Sequence, residues 1–378
     1  MLNFIFDENE KDNCNNLFKF VTVFDSKHIL KSIFADYPIS FHSSNDLDKI
    51  GKWYYPVILA NLIYLNSLID YPDTAGKRRD ILNVLPEHVK EGIRNKKGKI
   101  LLIILEPIAD FSLFSTYASE YKDVVFITLH YSPESNFFYT SLYDLFNVKS
   151  INFEPSENIT LNVVGYDVSS MTKRRYSCFL FNYHEHHERL MLISYLEKRE
   201  YLDEGYLSMR QRGKRFYKIL ENVPKHDFIK NDLTFESHDK VFDGLDKRST
   251  FKNTLFNICV EGEIAWLGYP FVTEKVFMCV MYKCPFILLS HHKALAAFKS
   301  LGFKTFEPFI DESYDTVEDP KHRIKLVLRQ IDILCSMPFE KLEEQVNELK
   351  DILDYNYNHF QYLTNLQKKK IHEYLLNE

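Results

Sequence analysis

Glycine is scarce, with 11 residues in 378. Collagen, flexible linker arrays and turn-dominated β proteins all need glycine in quantity, so none of them fits. The six cysteines, at 14, 178, 259, 279, 284 and 335, form no CxxC pair. The nearest two, Cys279 and Cys284, flank an apolar run rather than a metal knuckle. Buried, reduced thiols of a cytosolic protein are the expectation. No glycine-rich phosphate loop is present, which excludes kinase and P-loop readings. The longest apolar stretches, near 56–69 and 100–105, are too short or too polar to span a bilayer. The start, Met-Leu-Asn-Phe-Ile-Phe-Asp-Glu, has neither a basic segment nor an apolar one of signal-peptide type. A cytoplasmic protein without an anchor is expected. Internal repeats and low-complexity segments are also missing.

What is there suits a globular chain. Hydrophobic residues make up 45% and charged residues 26%, with 31 Phe and 24 Tyr. The length leaves room for two domains. The net charge of −6 argues mildly against a dedicated nucleic-acid binder. Basic clusters nevertheless stand at 77–79, 94–99, 173–175, 210–215 and 368–370. Each reads singly as a solvated face; gathered in one groove, they could hold a polyanion.

Short unbroken apolar runs alternate with amphipathic stretches. Lys99–Leu105, Val124–Leu129, Tyr176–Phe181 and Phe286–Leu289 have the look of parallel strands buried on both faces. Helical patterns fall at 57–69, 83–95, 187–201, 274–283, 292–301 and 321–335. That alternation predicts an α/β fold. A composition shift near 165–175 divides a lobe at 1–170 from one at 171–335. Residues 336–378 read as one or two helices that pack back on the body. Leu342, Val346, Leu349, Ile352 and Leu353 give them an apolar face.

The segment 256–290 carries the chemistry. A strand ends at Glu261, a loop with Gly268 and Pro270 follows, and Thr273 is placed to cap a helix beginning at Glu274. A helix N-terminus with Lys275 beside it suits a diphosphate. A glutamate there can accept hydrogen bonds from ribose hydroxyls. The bland alternative is a solvated first helical turn. Upstream, Phe179-Leu-Phe-Asn182 leads to His187-Glu-Arg189, and a guanidinium at a helix start can grip phosphate oxygens.

These blocks resemble the donor-binding half of the α1,3-fucosyltransferase family and of related glycosyltransferase-like proteins of phages and giant viruses. Glu261, Val272, Thr273, Glu274 and Lys275 match the first block; Asn182 and Arg189 match the second. The match spans about residues 176–320. Gly262 departs from the Asn or Thr that usually follows the first glutamate. The resemblance implies two Rossmann-like lobes of the GT-B type, with a UDP- or GDP-linked sugar held in the C-terminal lobe. It implies a co-substrate rather than a cofactor, and no metal. Lys275, Arg189 and the helix dipole would stabilise the departing nucleoside diphosphate. The catalytic base would come from the N-terminal lobe, with Glu106 first, then Asp110 and His130. The leading acceptor is a hydroxymethylated base of phage DNA, in the host cytoplasm. A surface glycan or lipopolysaccharide is the second, and a degenerate nucleic-acid or protein binding module is the non-enzymatic rival. His184-Glu-His-His-Glu188 lacks the spacing of a zinc helix. Asp46-Leu-Asp48 has the shape of a metal-binding carboxylate pair, but no apolar strand precedes it.

Overall fold

A computed structural model describes residues 1–7, 26–59, 85–104, 123–128, 137–139, 171–182, 187–210, 241–242, 247–261, 264, 270–307 and 309–377. The chain divides into two compact units, each with its own sheet. Unit 1 comprises Met1–Phe153, Leu267–Glu274 and Gln361–Glu378; unit 2 comprises Glu154–Trp266 and Lys275–Phe360.

The sheet of unit 1 contains β1 (Leu2–Phe6), β2 (Ile39–Ser43), β3 (Trp53–Leu59), β4 (Gly98–Ile104), β5 (Val124–Thr128) and β6 (Phe137–Tyr139). The order is β2-β1-β3-β4-β5-β6, and every pairing is parallel. Side chains alternate between faces. Leu2, Phe4, Phe6, Tyr54, Ile58, Leu101, Ile103, Val125 and Ile127 form one core. Helix Ser26–Ile33 covers it with Ile29, Leu30 and Ile33, and Ile371 and Leu375 of the last helix join it. Tyr54 donates its hydroxyl to the Leu375 carbonyl, and His372 stacks on Tyr37 at 3.6 Å.

The opposite face is built around Trp53, which is fully buried. Gly98 at the start of β4 and Gly92 of helix Glu87–Arg94 both lie against its indole. A Cβ at either would stand 2.4 Å from a ring atom. These two glycines are therefore set by close approach rather than by backbone conformation.

The expected helix at 57–69 is corrected where it can be seen. Val57, Ile58 and Leu59 belong to β3 and pair with Leu102, Ile103 and Ile104 of β4. The β-branched Val57 and Ile58 favour a strand, and the ladder with β4 takes them. Residues 60–69 lie outside the described residues. The remaining helical patterns hold, as Glu87–Arg94, His187–Lys198, Glu274–Met281, Ala294–Ser300 and Pro320–Ser336. The strands β1, β2 and β3 carried no separate signal in the sequence.

Unit 2 contains β7 (Arg174–Asn182), β8 (Gly205–Arg210), β9 (Val241–Phe242), β10 (Thr254–Val260) and β11 (Phe286–Leu289). All pairings are again parallel, in the order β11-β10-β7-β8-β9. Counted along the chain this is 3-2-1-4-5, the Rossmann order of its first five strands. Both sheets are thus parallel and helix-covered, and the chain is α/β with two Rossmann-like lobes.

In helix Glu274–Met281, Val276, Phe277, Met278, Cys279 and Val280 are all buried. Phe277 packs against the rings of Phe303 and Phe360 at 5.7 and 5.3 Å. Residues 336–378 form two helices, Phe339–Glu348 and Lys350–Asn377. Leu342 and Leu349 are buried; Val346, Ile352 and Leu353 are half-buried. Asn356 brackets the backbone of Lys304, accepting from its N–H at 2.8 Å and donating to its carbonyl at 2.7 Å.

Among the described residues no helix is long and apolar enough to cross a membrane. The basic cluster at 173–175 is engaged inside unit 2. Lys173 pairs with Glu343, Arg174 donates to the Gly205 carbonyl at 2.6 Å, and Arg175 pairs with Glu204 at 2.7 Å.

The glycine contacts yield a test. Gly98→Ala forces a methyl group into Trp53, and overpacking of this kind costs about 1–3 kcal/mol. Chemical denaturation should show that loss. Gly51→Ala, where nothing stands within 4 Å of an added Cβ, should show little or none.

Candidate active site

In the sheet of unit 2 the strand order reverses between β7 and β10. Ligands of open parallel sheets bind beyond the carboxyl ends of the strands at such a point. The residues that end these strands are therefore the ones to inspect.

Asn182 is the last residue of β7. Its backbone is placed at the strand's carboxyl end; its side chain lies outside what is described. Arg189 stands in the first turn of helix His187–Lys198, with only 4% of its surface exposed. Burial pushes the thiol of neighbouring Cys178 above its usual range, Cys259 adds to this, and the charge of Arg189 pulls the other way.

Glu261 directly follows β10 and is fully buried. Its N–H donates to the Leu289 carbonyl at 3.0 Å, extending the ladder with β11 by one step. Lys275 Nζ stands 3.3 Å from Glu261 Oε2, and its side chain is 11% exposed. The two residues face each other across the connection between β10 and helix Glu274–Met281. A buried carboxylate with no cation beside it would be costly, so each side chain fixes the other. Thr273 immediately precedes the helix and is buried; Glu274 is its first residue and half-buried.

A buried polar network docks this helix on the sheet. Asn257 of β10 donates to Ser177 Oγ of β7 at 2.9 Å, and Cys279 Sγ lies 3.4 Å from Asn257 Oδ1. Thr254 Oγ1 donates to Ser177 Oγ at 3.2 Å. These contacts set the rotation of the helix, and with it the direction of Lys275.

Arg323 ties the strand ends together, and no motif announced it. It is 1% exposed and sits on helix Pro320–Ser336. Its guanidinium donates to the carbonyls of Ser290 at 2.9 Å, Glu318 at 3.0 Å, and Val317 and Ile264. Ser290 follows β11, and Ile264 lies just beyond Glu261. One planar fork therefore fixes the backbone beyond both β10 and β11. Asp315 adds a second brace, accepting from the N–H groups of Leu295 and Ala296 at 2.8 and 2.9 Å.

The three candidate bases, Glu106, Asp110 and His130, lie outside the described residues, as do His184, Glu185 and His186. Asp46 and Asp48 are held by lysines instead of converging. Asp46 pairs with Lys49 at 2.7 Å, and Asp48 stands 3.6 Å from Lys97. Among the described residues no group of three His, Cys, Asp or Glu side chains is arranged to hold a metal ion.

No family model matches this chain, and no curated protein matches it. Among solved structures, an α1,3-fucosyltransferase with GDP-fucose aligns with 96% of this chain and 90% of its own, at 10% identity and a TM-score of 0.43. OtsA in its apo form aligns with 93% of this chain and 77% of its own, at 10% identity and 0.43. An α,α-trehalose 6-phosphate synthase from Burkholderia multivorans aligns with 93% and 74%, at 9% identity and 0.43. Likeness at this level decides nothing about activity.

Two substitutions test the local energetics. Lys275→Met leaves Glu261 buried without its cation, and breaking a buried pair costs about 3–5 kcal/mol. Adding Glu261→Gln should restore part of that loss in a double-mutant cycle read by urea unfolding. Arg323→Met strands buried carbonyls at about 1–3 kcal/mol for each one left unsatisfied, so the same measurement should show a loss of several kcal/mol.

Proposed function

We propose that this chain is a glycosyltransferase that moves a sugar from a nucleotide-sugar donor to a hydroxyl acceptor. The observation that carries the reading is the buried Glu261–Lys275 pair, set beyond the carboxyl end of β10 at the strand-order reversal of unit 2. In the proposed complex Lys275 turns toward the donor diphosphate, and a buried ammonium is well suited to that charge. Arg189 supplies a second cation from the helix that follows β7. The positive end of helix Glu274–Met281 adds to both. Glu261 and Glu274 offer carboxylates to ribose hydroxyls; Asn182 stands at the end of β7 and Thr273 just before the helix. Fixed positive groups of this kind stabilise the leaving nucleoside diphosphate as charge develops on it, so the proposed reaction uses no metal.

The donor proposed is UDP- or GDP-linked. The acceptor proposed from the family resemblance is a hydroxymethylated base in DNA, with a surface glycan as its rival. Binding to duplex DNA that weakens steeply with salt supports the first, and salt-independent glycan binding supports the second.

A thermal-shift panel with UDP, GDP, CMP and dTDP tests the donor reading. A nucleotide at about a hundred times its dissociation constant adds about 2.7 kcal/mol. One nucleotide should stabilise the wild type by that order, and Lys275→Ala should lose the ligand-induced shift whatever its own melting point. If none of the four moves the wild type, the reading falls and a non-enzymatic binding module takes its place.

A further inference from the structure

The basic cluster at 94–99 plays no part in the donor reading, and unit 1 builds it into a cavity. Lys96, Lys97 and Lys99 line a space of about 610 Å³ together with Lys52, Asp48 and Asp123. Lys52 directly precedes β3, Lys97 precedes β4 and Asp123 precedes β5. The cavity therefore lies at the amino ends of these strands. Reactive groups of parallel sheets gather at the other edge, beyond the carboxyl ends. The charge of this cavity thus calls for a ligand of its own.

Among the described lining residues four are lysines and two are aspartates, so positive charge is in excess. Asp48 stands 3.6 Å from Lys97 Nζ, but its side chain is 97% exposed. An ion pair so open to water neutralises little. Lys52 and Lys99 are half-buried. Lys52 Nζ stands over the Tyr54 ring at 5.8 Å, and Lys99 Nζ over the Tyr374 ring at 6.0 Å. The ring faces attract these two cations and restrain them. Arg94, the other charge of the cluster, is engaged by Glu87 at 2.9 Å.

Lys96 is held at a cost. Beyond helix Glu87–Arg94, the Lys96 N–H donates to the Ile93 carbonyl and the Lys97 N–H to the Gly92 carbonyl, both at 2.9 Å. That closure puts Lys96 at φ 57°, the left-handed conformation that glycine fills best at a helix end. A lysine there is strained, and strained residues cluster at functional sites.

We propose that this cavity is a binding site for a compact anion that carries two or three linked phosphates. Ammonium groups act as point charges toward phosphate, and several on one wall can engage several oxygens at once. No aromatic ring is among the described residues that line the cavity. It therefore offers no platform for a stacked base, and the phosphates are what it recognises.

The test is calorimetric titration of the full chain with tripolyphosphate at low ionic strength, where exposed charges are least screened. Tripolyphosphate should bind wild type. Lys97→Gln and Lys96→Gly should each weaken binding about tenfold, the loss of one charged contact. Lys96→Gly should keep or raise the melting temperature, since glycine relieves the left-handed turn. Weaker binding by that variant is then no sign of misfolding. Asp48→Asn removes a negative charge from the rim and should tighten binding. Tripolyphosphate that binds, but is weakened by neither lysine substitution, sits elsewhere in the chain and overturns the proposal. Wild type that takes no tripolyphosphate overturns it too. If duplex DNA binds through these lysines where tripolyphosphate does not, the surface is a nucleic-acid contact and the proposal falls.

Discussion

Parallel strand pairing is the constraint on which the rest depends. A parallel strand cannot return through a tight turn, so each pair needs a crossover, and the crossovers cover both faces of the sheet. Both sheets of this chain are parallel throughout. Their central strands are consequently buried from end to end, as in Leu101–Ile104 and Thr254–Val260. Several polar residues stand at or just past the carboxyl ends. Asn182 ends β7, and Asp7, Glu261 and Ser290 directly follow β1, β10 and β11. Strand order then decides which of these ends lie beside an opening, and in each unit it reverses once.

Burial makes the placement of the charged groups exacting. Glu261 is fully enclosed, and the ammonium of Lys275 stands beside its carboxylate. Arg323 is enclosed as well, and it spends its donors on the carbonyls of Ser290, Val317, Glu318 and Ile264 instead of on a carboxylate. Desolvation lowers its pKa, and the charges of Asp315 and Asp319 oppose that. These groups hold backbone and side chain in fixed directions around the end of β10. Such rigidity is what a site needs when it acts by preformed positive charge.

The sequence by itself determined the α/β class, five of the strands and most of the described helices. Continuous apolar runs and helical periodicity are local signals, and they need no knowledge of what packs on them. It also determined the arrangement of Thr273, Glu274 and Lys275 at a helix start, since capping and helix polarity act within a few residues. Val57–Leu59 was misread as helix because an unbroken apolar run fits either element until its partner β4 is known. Only the tertiary structure decided that Glu261 meets Lys275, that Arg323 joins the ends of β10 and β11, and that Lys52 joins Lys96 and Lys97 around one cavity. Each of these depends on strand order, a long-range property that side-chain periodicity does not encode. Arg323 reads in sequence as one basic residue among many on an amphipathic helix; only the carbonyls that surround it give it a role.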